Sequence, residues 1–135
     1  QEDPACHAFR GKTKRASTLF KAPGLSYVYL IYGMYNCMNV VTEEEGRGCA
    51  VLIRAVEPMG DFSGTNGPGK LCRAFEITRE LNEVDLTSSS SVLRIERGEE
   101  VFESDIVCTT RIGIKAGADL KWRFYIRNNP WVSKI

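Results

Sequence analysis

The segment from Ser26 to Val41 constrains the fold of this chain most strongly. It opens with Ser26-Tyr27-Val28-Tyr29-Leu30-Ile31-Tyr32, aromatic and β-branched side chains that fit a pleated, half-buried surface. Gly33 follows, a residue free to take backbone conformations closed to others, and Met34 to Val41 resumes the apolar pattern. Two strand-forming runs around one glycine predict an antiparallel β-hairpin with its tip at Tyr32-Gly33-Met34. Strict alternation would put Tyr29 and Tyr32 on opposite faces. A place in the turn releases Tyr32 from that restriction.

The rest of the chain supplies what such a hairpin must pack against. A basic, glycine-containing loop runs through Arg10-Gly11-Lys12-Thr13-Lys14-Arg15, followed by one helical turn to Phe20 and a turn at Pro23-Gly24. Cys49 to Val56 reads as a near-continuous apolar strand, interrupted by Arg54 and stopped by Glu57-Pro58. Met59 to Pro68 is a loop, and Gly69 to Ile77 predicts a helix with Leu71, Ala74 and Phe75 on one face. Ser88–Ser91 is a short link. Val92 to Arg97 alternates as a half-exposed strand does, and Ile106–Ile114 and Arg123–Arg127 are further strand candidates, with Trp131 as a core or edge plug. The class expected is α+β: one domain spanning residues 1–135, mainly an antiparallel curved sheet with a protruding β-hairpin and few helices.

Composition agrees with one small globular domain. The chain has 135 residues, 43% hydrophobic and 26% charged, which excludes a disordered tail, a collagen and a membrane bundle. No apolar run approaches the roughly 20 residues of a membrane-spanning helix, and no signal peptide leads the chain. It opens at Gln1-Glu2-Asp3-Pro4 without Met, so its natural beginning is expected upstream. The cysteines (Cys6, Cys37, Cys49, Cys72, Cys108) are odd in number and irregularly spaced, and His7 is the single histidine. That pattern suits reduced, mostly buried thiols inside a cell better than a disulfide framework or a zinc site.

Charge is unevenly spread. The net of +1 resolves into +3 over residues 1–39, −7 over 40–105 and +5 over 106–135. If the two basic ends meet, they form one face able to hold phosphates. Gly64-Thr65-Asn66-Gly67-Pro68-Gly69-Lys70 imitates a phosphate-binding P-loop, but Leu71 stands where a magnesium-holding hydroxyl belongs. Pro68 also lacks the N–H that a phosphate cradle would use. Lys70 near a helix start could still grip a nucleic-acid phosphate.

On these residues alone the hairpin is either an ordinary sheet edge or a wedge. As a wedge, its tip would enter a duplex where a base was, while aromatic faces stack on the expelled base. Larger blocks decide between the two. His7-Ala8-Phe9-Arg10-Gly11-Lys12-Thr13-Lys14-Arg15, Pro23-Gly24 with Tyr27 to Met34, and Cys37-Met38-Asn39-Val40-Val41 come first. Ala50-Val51-Leu52-Ile53-Arg54-Ala55 with Glu57-Pro58, and Gly67-Pro68-Gly69-Lys70-Leu71-Cys72, come next. Arg123-Phe124-Tyr125 and Asn129-Pro130-Trp131-Val132-Ser133 close the set. Together, in this order and over nearly the whole chain, they resemble the alkyladenine (3-methyladenine) DNA glycosylases.

The resemblance implies a monofunctional base-excision glycosylase that flips a damaged purine out of double-stranded DNA and hydrolyses its N-glycosidic bond. Alkylated or deaminated purines such as 3-methyladenine and hypoxanthine are the substrates it implies. No lysine falls at the matching pocket positions to form a Schiff base. Tyr32 resembles the residue that intercalates into the DNA, with Met34 beside it. His7, Tyr29, Asn39 and Leu52 resemble the base pocket, Tyr29 stacking on the base and Asn39 clashing with the amino group of normal guanine. Arg54 resembles the arginine that orders the catalytic water and a nearby phosphate. Arg10, Lys12, Lys14, Arg15 and Lys70 are the expected phosphate contacts. The resemblance implies no cofactor, no metal, no membrane partner and a monomer, in the cytoplasm of a bacterium or the nucleus of a eukaryote.

The chemistry is consistent with these roles. Alkylated purines such as 3-methyladenine are cationic and are drawn to a tyrosine face by about 0.5–2 kcal/mol. Bond cleavage passes through an oxocarbenium-like sugar, so it calls for a carboxylate and an activated water. A damaged base also flips at lower cost than a paired one. In the family that carboxylate lies in a Glu-Thr-Glu-Ala-Tyr segment upstream of the position of His7, hence before residue 1, while Glu2 and Asp3 fall in the loop between. The alternative expectation is therefore a fragment that binds DNA lesions but lacks its general base. The short Met59–Asn66 segment, and Ala16 where Asn is frequent, also depart from the family pattern.

Overall fold

The structure is a computed structural model that describes residues 3–9, 11–14, 16–61 and 63–133. The hairpin forms where its sequence places it. Strand β1 (Ser26–Ile31) pairs antiparallel with β2 (Tyr35–Val41), from Ser26 opposite Val40 to Ile31 opposite Tyr35. The Met34 N–H closes the turn on the Ile31 carbonyl at 3.2 Å. Tyr32 and Gly33 both take left-handed backbone angles, φ 54° and 67°, the signature of turns whose twist matches that of the flanking strands. Gly33 does so freely, whereas for a residue with a side chain the same conformation costs about 1–2 kcal/mol.

Strand β3 (Ala50–Leu52) joins the far edge of β2 antiparallel, setting Leu52 opposite Asn39. The strand expected over Cys49–Val56 is therefore shorter. Ile53 still donates its N–H to the Met38 carbonyl, but Val56 exchanges its backbone bond with buried Thr65 instead, drawing the chain out of the sheet.

Helix α1 (Pro68–Ala74) starts behind Gly67, with proline at its first turn where no N–H is needed. It buries Leu71 and Cys72 rather than the expected Leu71, Ala74 and Phe75; Phe75 is 40% exposed. The helix also stops before Ile77. Glu76 turns left-handed (φ 55°), its N–H bonds Arg73 O, and the Ile77 N–H reaches back to Cys72 O at 2.8 Å. This is a Schellman stop, which folds buried Ile77 under the helix end.

No strand forms over residues 92–97, despite their alternation. The segment meets the body through one backbone bond, Ile95 N–H to Leu86 O, and leaves Val92 exposed. Alternation without a neighbouring strand makes no ladder. Strands β4 (Ile106–Thr109) and β5 (Arg123–Ile126) pair antiparallel as a separate two-stranded sheet. The run to Ile114 ends early because Thr109 already faces the first residue of β5, and the chain between them is the connecting loop.

The fold is thus α+β with few helices and antiparallel pairing throughout, in two sheets rather than one. The three-stranded sheet is packed on both faces. Val28 and Met38 meet Leu71, Cys72, Ile77 and Leu86 on one side; Tyr27 and Val41 meet Ala8, Ala16 and Leu19 on the other. The cysteines are free, but only Cys37 and Cys72 are buried, where desolvation pushes the Cys72 thiol up to about 11. Cys6 and Cys49 are half-buried, and Cys108 stands on the exposed face of β4. Among the described residues no helix is long and apolar enough to cross a membrane.

Candidate functional site

Alternation along β1 and β2 points Tyr27, Tyr29 and Asn39 to one side of the sheet. There they line a cleft of about 760 Å³ together with His7, Leu52 and Arg54. Every base-pocket residue expected from the sequence is in this lining.

His7 lies in a run of tight turns, held by bonds from Cys6 N–H to Asp3 O and from Phe9 N–H to Cys6 O. The turn reaches the sheet because Ala8 is fully buried against Gly48. A Cβ on Gly48 would stand 2.8 Å from the Phe20 ring and 3.0 Å from the Ala8 Cβ. His7 Nδ1 is 2.8 Å from the Tyr27 hydroxyl. Its ring meets Tyr29 at 4.5 Å between centroids and 63° between planes, and Tyr27 lies 5.3 Å from Tyr29 at a tilt of 36°. Asn39, 8% exposed, donates its side-chain N–H to the Tyr27 carbonyl at 3.2 Å. Three rings and one amide thus form a single wall.

Opposite charges are scarce along the arginine side. Arg54 is half-buried just past β3, and its Nε finds no hydrogen-bond partner among the described residues. Burial, and then the neighbouring Arg123 guanidinium, push its pKa below the ordinary arginine value. Arg123, 6% exposed, lies over the Tyr125 ring at 4.7 Å. Two guanidinium groups so placed are costly unless an anion joins them, which suits the cleft to a phosphate or a carboxylate. Asp3 and Glu57 are the acids in the lining among the described residues. Both of Asp3's carboxylate oxygens accept from Arg111, which holds the acid below the usual carboxylate range. Glu57 accepts from the Asn129 amide at 3.5 Å.

Tyr32 and Met34 stand apart from this wall, at the hairpin tip, 84% and 66% exposed. Lys12, Lys14 and Lys70 are exposed at the surface. Arg10, Arg15 and Glu2 lie outside the described residues. Sequence reasoning missed Tyr27, Arg111, Arg123 and Tyr125 as cleft residues. Tyr27 was open to discovery, since it precedes Tyr29 by two positions and so shares its face. The other three reach the cleft only through the packing of β5 and the loop before it, which no local pattern announces.

A sequence model of the methylpurine-DNA glycosylase family matches residues 1–130. Bacterial relatives provisionally named 3-methyladenine DNA glycosylases are similar over most of the chain. The one from Carboxydothermus hydrogenoformans is 52% identical over 147 residues, covering 99% of this chain and 76% of the relative. That from a Wolbachia of Brugia malayi is 51% identical, covering 93% and 73%, and that from Legionella pneumophila is 49% identical, covering 99% and 74%. With the match running through the hairpin, the aromatic wall and the arginine side alike, the chain belongs to the methylpurine-DNA glycosylase family, DNA glycosylases of base-excision repair.

Proposed function

We propose that the cleft takes an alkylated or deaminated purine, 3-methyladenine or hypoxanthine, flipped from double-stranded DNA, and that the protein works as a monomer. The observation that carries this reading is the aromatic wall of His7, Tyr27 and Tyr29, backed by Asn39, in a protein whose hairpin tip bears an exposed, backbone-strained tyrosine. A tyrosine face attracts a cationic base, and desolvation in the cleft strengthens that attraction. Tyr32 fills the gap left in the duplex, with Met34 beside it. Lys12, Lys14 and Lys70 supply phosphate contacts. Arg54, whose Nε finds no partner among the described residues, engages the phosphate next to the flipped sugar and helps order the attacking water.

The experiment is incubation of the full-length protein with duplexes carrying hypoxanthine or 3-methyladenine. Release of the free base, leaving an unnicked abasic site, is the expected result. No base released from either duplex would defeat the reading. A second reading concerns residues 1–135 alone and rests on the two cleft acids: Asp3 is held by Arg111 and Glu57 is engaged by Asn129. With neither acid free to activate water, this stretch binds lesions without cleaving them. Retention of a duplex with a pyrrolidine abasic analogue, and no base release in parallel, would support that; cleavage by residues 1–135 would sink it.

A further inference from the structure

We propose that Tyr27 is a positioning residue that fixes His7 as its Nε2-protonated tautomer, so that the pocket offers the flipped nucleotide a hydrogen-bond donor. The inference deepens the glycosylase reading above and rests on it.

Tyr27 is 3% exposed, and a hydroxyl at that depth needs a partner. Its oxygen lies 2.8 Å from His7 Nδ1. A phenol is a good donor, with a pKa near 10, whereas its oxygen shares its lone pair with the ring and accepts weakly. Neutral imidazole nitrogen is a strong acceptor. The favoured arrangement therefore has Tyr27 donating to Nδ1, which leaves the ring proton on Nε2. Reversing it would match a weaker donor to a weaker acceptor inside a poorly solvated site.

Tyr27 also touches every other member of the wall. Its hydroxyl holds His7, its ring tilts against Tyr29, and its carbonyl accepts from Asn39. Tyr27 and Asn39 are direct partners in the β1–β2 register, so the strand pairing fixes its backbone. The hydroxyl is thus delivered to His7 from a rigid element, as a site requiring one tautomer demands.

The chain has one histidine, so nitrogen-15 labelling of histidine reports His7 alone. The spectrum is expected to show a protonated Nε2 and a bare, hydrogen-bonded Nδ1, and Tyr27→Phe should convert it to a tautomer mixture. A protonated Nδ1 in the unmodified protein would overturn the assignment. Tyr27→Phe keeps the ring and its packing, and should weaken binding to a hypoxanthine duplex about fivefold. In a His7→Ala background the same change should cost less than about twofold, because the hydroxyl acts through the imidazole. Equal losses in both backgrounds would make Tyr27 merely structural and defeat the proposal. So would no loss in either. A protein that bound lesion and undamaged duplexes alike would overturn the glycosylase reading instead, while the nitrogen spectrum would still decide the tautomer.

Discussion

Tyr32 carries two costs at once. It exposes 84% of its surface and holds a left-handed backbone angle that asparagine or glycine would take more easily. Nothing in the fold recovers that strain, which is the pattern of a residue kept for what it meets outside the molecule. Tyr32→Ala and Tyr32→Asn should both weaken binding to a lesion-containing duplex. Only Tyr32→Asn should also raise the melting temperature by a few degrees, for a gain of about 1 kcal/mol, since alanine keeps the strain that asparagine tolerates. Equal melting temperatures for the two variants would show that the turn relaxes without cost. The sequence placed Tyr32 in the turn, because Gly33 comes directly after it. The sign of its φ came only with the register that pairs Ile31 with Tyr35.

Among the elements, the turns that carry His7 depend on a glycine far away in the chain. Gly48 is left-handed at φ 67°, and any side chain there collides with Phe20 and Ala8. Gly48→Ala should cost about 1–3 kcal/mol by combining backbone strain with overpacking. Because Ala8 is the neighbour that must give way, His7 should shift from Tyr27 and lesion binding should fall with stability. A calorimetric melt and a gel shift on the same variant test both; a full-strength gel shift from a destabilised protein would break the link between Gly48 and the pocket. Gly48 has no local signature in the sequence beyond that of a connection. The elements that were legible, the hairpin and the turn before Phe20, depend on neighbours close along the chain. The strand expected over residues 92–97 failed for the opposite reason: its alternation was real, but no other strand came to meet it.

For the whole molecule, the two ends of the chain meet at the cleft. Residues 3–7 and 111–133 both line it, and Asp3 and Arg111, each about one-fifth exposed, tie them together. Arg111 also stacks 5.3 Å from Trp122. The Asp3 carboxyl titrates below its ordinary 3.8, chiefly through its hydrogen bonds to Arg111. A carboxyl whose folded pKa is depressed contributes stability above its unfolded value and loses it as pH falls through the folded one. Asp3→Asn should therefore destabilise the protein near pH 7 by about 1–2 kcal/mol. Melting temperatures of the two proteins should converge below pH 3.8, as the acid protonates. A difference that persisted undiminished in acid would mean that Arg111 holds the asparagine as well as the acid. The exposed Lys21–Glu83 pair on the other side of the molecule should contribute little to the same profile.

The order of residues along the chain was enough to establish the hairpin, the place of its tip, the α+β class and the family. Strand propensity, a turn glycine and a long ordered set of blocks are properties of neighbours in the chain. The same order named His7, Tyr29, Asn39, Leu52 and Arg54, which the fold gathers into one cleft. Packing alone settled that Tyr27 holds His7, that Arg123 crowds Arg54, and that Asp3 is engaged by Arg111. Each of those is a contact between residues 20 to 108 positions apart, or between separate sheets. Their energies depend on distance and burial, and neither exists until the chain has packed.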